Sequence, residues 1–162
     1  MEDKPYYEQE YHEPKTDIPR PTFGQAFKLL FTAPFKWNAR STRRGFWYAY
    51  VWAIILLVIL AACSATAYSI DGIAYSSNEF FLLTHVSTGT LIIQIIIYLL
   101  IIWILLGLLG FTIRRLHDTD HTGWWYWISV IPFGYLFLLY FMVLPTVEKP
   151  VRWGSYLFKE KK

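Results

Sequence analysis

Charge is scarce in this sequence, and its placement matters more than its total. Lys, Arg, Asp and Glu make up 17% of 162 residues, against about 25% in an ordinary soluble domain. None of them occurs from Gly45 to Ile70, from Leu91 to Phe111 or from Trp124 to Leu144. A soluble fold needs charged faces on most of its elements, so runs of this length argue against one. There is one cysteine, Cys63, and therefore no intrachain disulfide. No ionisable residue lies deep in any apolar run, although proton and ion translocators usually carry at least one there. The sequence also lacks a Gly-rich phosphate loop, a nucleophile elbow and an HExxH pair, and no cofactor is expected.

What is present is apolar and aromatic: 55% of residues are hydrophobic and 20% aromatic. The pattern predicts an all-α membrane protein of one domain with three apolar transmembrane segments, near residues 46–68, 91–111 and 124–144. The first has 23 residues, about 35 Å of helix at ~1.5 Å per residue, enough for a hydrocarbon core of ~30 Å. Phe46, Trp47, Tyr48, Tyr50 and Trp52 crowd one end of it, and Trp124, Trp125, Tyr126 and Trp127 open the third. Such belts mark the membrane interface. In the second, Gly107 and Gly110 allow either close helix approach or a bend.

Residues 1–22 carry six acids and four prolines and lack the apolar stretch of a signal peptide. This composition predicts a disordered acidic tail. Phe23, Ala26, Phe27, Leu30 and Phe31 then recur at helical spacing, with Thr22 as N-cap and Pro34 ending the pattern. That stretch is too short to span. It reads as an amphipathic helix lying at the interface or packed on the protein's own bundle.

Lys and Arg favour the cytoplasmic side of short loops. Lys36, Arg40, Arg43 and Arg44 precede the first span, the 69–90 connection has none, and the 112–123 connection has Arg114 and Arg115. All three place the N-terminus in the cytoplasm. The tail does not fit, because a third crossing would export Lys149, Arg152, Lys159, Lys161 and Lys162. Two readings remain for 124–144. One is a crossing kinked at Pro132-Phe133-Gly134, which the length of the run favours. The other is a re-entrant hairpin turning there, with limbs of only about 15 Å.

The run Trp37-Asn38-Ala39-Arg40-Ser41-Thr42-Arg43-Arg44-Gly45-Phe46-Trp47 precedes the first span. Arg114-Arg115-Leu116-His117-Asp118-Thr119-Asp120-His121-Thr122-Gly123-Trp124-Trp125 precedes the third, which contains Ile131-Pro132-Phe133-Gly134. Arg152-Trp153-Gly154 follows it. Over residues 23–154 this set resembles the DUF805 family. Ala39, Gly45 and Val151 stand where that family usually has Gly, Glu and Asn. The resemblance implies a small bacterial inner-membrane protein and no particular reaction. Residues 155–162 form a basic C-terminal tail outside it.

The candidate site residues are Arg40, Arg43, Arg114, Arg115, His117, Asp118, Trp124 and Trp125. The arginines offer bidentate forks for lipid phosphate, or serve as topology markers that snorkel to the headgroups. Asp118 is expected to pair with Arg40, Arg43 or Arg115, and Arg114 is one helical turn before it. His117, Asp118, Asp120 and His121 are the densest set of metal-type ligands, but salt bridges and hydrogen bonds are the favoured use and no metal is expected. The functional expectation is a non-enzymatic membrane protein whose arginine-rich cytoplasmic face binds anionic lipid or a membrane partner, with no role for nucleic acid. An oligomeric channel or transport subunit, built as a homo-oligomer, is the first alternative. A membrane enzyme using His117 and Asp118 is the second.

Overall fold

A computed structural model describes residues 20–75, 87–146 and 156–157. The acidic tail up to Pro19, Glu79 in the 69–90 connection, Arg152-Trp153-Gly154 and the basic tail apart from Tyr156 and Leu157 lie outside the described residues. Among the described residues the fold is all-helical. Helix α1 is Phe23–Thr32, α2 is Arg43–Tyr75 and α3 is Thr88–Asp118. A 3₁₀ segment, Gly123–Val130, and helix α4, Gly134–Val143, follow.

Helices α2 and α3 are both long and apolar enough to cross a membrane. A core helix of a soluble protein would be mostly buried, yet only 6% and 22% of their most apolar windows are. Val58, Ile59, Ile95, Leu99 and Ile102 are all more than half exposed. Water would penalise such surface at about 25 cal/mol per Å², whereas lipid tails would not. The two helices pack on each other along Ala49, Ala53 and Ile104, and Ser64 Oγ donates to Gln94 Oε1 at 3.0 Å between them.

Thr22 starts α1 with a capping box, accepting from Gln25 N–H while the Gln25 side chain accepts from Thr22 N–H. The helix is packed on both long helices. Trp52 Nε1 on α2 donates to the Phe23 carbonyl at 3.1 Å, and the Phe23 and Trp52 rings stack at 4.6 Å. Ala26 and Leu30 are fully buried. On α3, Gly107 faces Leu30 and Gly110 faces the Pro34 carbonyl, so closely that a Cβ at either position would overlap backbone oxygen. The two glycines therefore admit a neighbouring segment and do not bend α3, which runs unbroken to Asp118.

The last apolar run departs from the kinked crossing that its length favoured. Ile131-Pro132-Phe133-Gly134 is a tight turn: Gly134 N–H donates to the Ile131 carbonyl at 2.8 Å and Phe133 sits at φ 64°. Proline followed by a positive φ is the geometry of a type II turn. The turn folds α4 back on the 3₁₀ segment, and Gly134 is required because the Ile128 carbonyl fills the space of a side chain. Gly123 lies against Ile113 and His117, while the Leu144 carbonyl and Thr146 reach Arg115 and Asp118. Both ends of the segment thus meet the same end of α3. Its limbs, about 16 Å of 3₁₀ helix and about 15 Å of α-helix, are each half a bilayer core.

Gly110→Ala should push Pro34 and α1 off α3 and destabilise the protein by about 1–3 kcal/mol, as overpacking does. Gly24→Ala, which meets nothing within 4 Å, should leave stability unchanged or raise it by up to about 1 kcal/mol. Thermal unfolding of both variants in mild detergent tests the pair.

Candidate functional site: a buried arginine–aspartate hub

The last two turns of α3 carry Arg114, Arg115, Leu116, His117 and Asp118, all buried. This corrects the expectation of a polar 112–123 connection at the headgroups: the helix continues through the motif, and other segments close over it. Arg114 and Arg115 are 0% exposed and therefore neither snorkel nor present themselves to lipid phosphate.

Each guanidinium closes the C-terminal end of a short helix. Arg114 Nη1 donates to the Ala33 carbonyl at 2.7 Å and the Lys36 carbonyl at 3.2 Å, and Ala33 is the C-cap of α1. Its guanidinium also lies 4.4 Å from the centroid of the Phe111 ring. Arg115 Nε donates to the Met142 carbonyl at 3.3 Å and Nη2 donates to the carbonyl of Leu144, the C-cap of α4. The last carbonyls of a helix have no intrahelical partner and carry the negative end of its dipole, so a cation is favoured there. Arg43 Nη1 adds a third contact at the same end of α4, reaching the Val143 carbonyl at 3.2 Å.

Asp118 is the anion of the hub and is 0% exposed. Its Oδ1 accepts from Arg40 Nε at 3.1 Å and Nη2 at 2.9 Å, and its Oδ2 accepts from Arg115 Nη1 and from Thr146 Oγ at 2.8 Å. Arg115, one turn back, is its helix partner; Arg114 turns instead toward α1. Arg40 is brought in by the loop before α2, where Ser41 N–H donates to the Arg114 carbonyl at 3.1 Å. Thr42 then starts α2, its Oγ accepting from Gly45 N–H at 3.3 Å.

The C-terminal segment reaches the same place. Leu157 N–H donates to the Arg40 carbonyl at 3.2 Å, and the Arg40 guanidinium lies 4.7 Å from the Tyr156 ring centroid. The Tyr156 hydroxyl also hydrogen-bonds with Asp118. Burial first, then the Asp118 carboxylate, push the Tyr156 phenol up to about 12. Thr146 and Tyr156 were not among the sequence candidates. A lone hydroxyl beside a turn and a lone aromatic in a basic tail carry no pattern that predicts a distant carboxylate.

His117 hydrogen-bonds to the backbone of Trp37 and Ala39, which anchors that loop to α3. His121 lies beyond the end of α3, after Asp120 at φ 62°, and packs against Phe141 with the rings tilted at 43° and their centroids 4.4 Å apart. The two histidines therefore do not share a helix face, and among the described residues no three His, Cys, Asp or Glu side chains converge to hold a metal. Trp125 packs edge-on against His121 and Phe141, whereas Trp124 is 78% exposed.

Removing one partner of a buried ion pair leaves an uncompensated charge and costs about 3–5 kcal/mol. Asp118→Asn, which keeps the shape and strands Arg40 and Arg115, should lose stability of that order in detergent unfolding. Tyr156 adds a pH dependence. Its folded-state pKa of about 12 is above the ordinary value of 10.0. The phenol's contribution is therefore intact below pH 10 and lost as pH rises from about 10 to about 12. Tyr156→Phe should flatten that alkaline fall, measured as unfolding midpoint against pH.

The comparisons agree with the motifs that build this hub. A family model described as "Protein of unknown function (DUF805)" matches residues 34–155, a range that contains Arg40, Arg43, Arg114, Arg115, His117, Asp118 and Thr146. No curated protein and no solved structure matches the chain. With a match over well more than half its length, the chain belongs to the DUF805 family of proteins of unknown function.

Proposed function

We propose that the chain is a multi-pass integral membrane protein of the bacterial plasma membrane, non-enzymatic, with α2 and α3 spanning, residues 123–144 re-entering, and α1 lying along the cytoplasmic interface. Both termini are cytoplasmic in this reading, and the exposed basic residues of that face hold anionic lipid headgroups. The observation that carries it is the hydrogen bond from Leu157 N–H to the Arg40 carbonyl, which puts the C-terminal segment on the same face as the loop before the first span. A hairpin that returns its end to Asp118 allows this without a third crossing. It also relieves the conflict of an exported basic tail.

The lipid part of the reading rests on different cations from those first singled out. Arg40, Arg114 and Arg115 are buried in the hub, whereas Lys28, Lys36, Arg43 and Arg44 are exposed around it. Juxtamembrane cations attract anionic lipid by about 1 kcal/mol each near the surface. The buried set then supports the architecture while the exposed set meets the headgroups. The non-enzymatic reading is supported by Asp118, whose two carboxylate oxygens are held by Arg40, Arg115 and Thr146.

Two measurements test the proposal. A C-terminal alkaline phosphatase fusion should be inactive and a fluorescent protein fusion bright, with the opposite result for reporters placed after residue 80. An active C-terminal phosphatase would refute the topology. Replacing Lys28, Lys36 and Arg44 by Ser together should weaken retention of phosphatidylglycerol in native mass spectra by about tenfold or more. Unchanged retention would remove the headgroup role.

A further inference from the structure

A cavity of about 810 Å³ opens between the loop before α2, the cytoplasmic half of α3 and the start of the 3₁₀ segment. It is distinct from the hub and opens to the outside. Its walls are the rings of Trp37, Trp124 and Trp127, and its floor is the α3 stripe Leu109, Ile113 and His117, spaced four residues apart. That stripe grades from apolar to polar toward the helix end. Asn38 and Thr122 complete the polar end, and among the described residues no Lys, Arg, Asp or Glu lines the cavity.

The walls are held in place by bonds the cavity itself does not need. Trp37 Nε1 donates to the Pro34 carbonyl at 2.9 Å, and His117 ties the Trp37–Ala39 backbone to α3. Gly123 lets the 3₁₀ segment close against Ile113. Trp124 and Trp127 remain 78% and 61% exposed, presenting apolar rings to whatever fills the space. Binding sites for small molecules are concave, mostly apolar and carry a few placed polar groups, as this one does.

We infer that this groove is a binding site for one acyl chain of a membrane glycerophospholipid. The chain lies along Leu109 and Ile113 between the indole walls. The ester level meets Asn38 and Thr122, whose side chains donate to ester carbonyls. The gradient of the floor matches the gradient along a lipid molecule, from hydrocarbon to ester. The uncharged lining selects hydrocarbon and hydrogen-bonding groups and does not select headgroup charge. This separates the site from the basic surface, which selects charge. The inference rests on the membrane placement proposed above.

The test uses the full chain, purified in mild detergent and offered phosphatidylcholine or phosphatidylglycerol of the same acyl chains, with bound lipid counted by native mass spectrometry. One phosphatidylcholine should be retained, and with phosphatidylglycerol this groove lipid is counted in addition to any held by the basic surface. Ile113→Trp, which fills the groove, should weaken its retention by about tenfold. Trp127→Ala, at an exposed position that does not endanger folding, should weaken it several-fold. A Lys28, Lys36 and Arg44 triple replacement should leave retention of phosphatidylcholine unchanged. Equal retention in the wild type and Trp127→Ala, or loss of phosphatidylcholine in the triple variant, would overturn the groove site. So would a wild-type spectrum showing dimers without lipid, because a second copy would then occupy the groove. Failure of the membrane placement is read separately, from the reporter fusions.

Discussion

Arg114 and Arg115 must be buried beside one another near the end of α3, and the rest of the architecture answers that constraint. Two adjacent guanidiniums cannot be desolvated without partners, because an isolated buried cation costs several kcal/mol even after relaxation. Among the described residues one carboxylate, Asp118, is at hand, and it is shared between Arg115 and Arg40. The remaining negative potential comes from backbone. Arg114 takes the carbonyl end of α1 and Arg115 that of α4. Neighbouring residues on a helix point about 100° apart, so the pair necessarily gathers a different short helix on each side.

This explains why elements distant in sequence share one small volume. The loop before α2, the end of the hairpin and the C-terminal segment each deliver a group to Asp118: Arg40, Thr146 and Tyr156. Close backbone approach is provided elsewhere, by Gly107 and Gly110 under α1 and by Gly134 in the hairpin turn. Arg40, Arg114 and Arg115 lie inside the hub, Lys36 and Arg44 stay exposed beside it, and Arg43 is exposed yet donates to the Val143 carbonyl at the end of α4.

The apolar groove lies on the other side of the same construction. His117 and Trp37, which complete the docking of the loop, also form part of its lining. The loop held on α3 provides one wall of the groove, and the 3₁₀ segment, seated against Ile113 by Gly123, provides the opposite wall.

By itself the sequence determined the helical class, the two long apolar helices and the position of α1. These depend on local composition and on period, which are written along the chain. It also determined the family, through a string from Arg114 to Trp125 that is long and specific. The tertiary structure decided what that string does. Charge beside an apolar run reads as an interface signal, and nothing local says that α1, α4 and Tyr156 will cover it. The fate of residues 124–144 was likewise undecided, because length favoured a crossing while the tail's charge opposed one. The turn at Ile131–Gly134 folds the run back on itself, and the contacts of Leu144 and Thr146 with Arg115 and Asp118 return its end to α3. Those contacts join residues about thirty apart in sequence, and no periodicity within either segment encodes them.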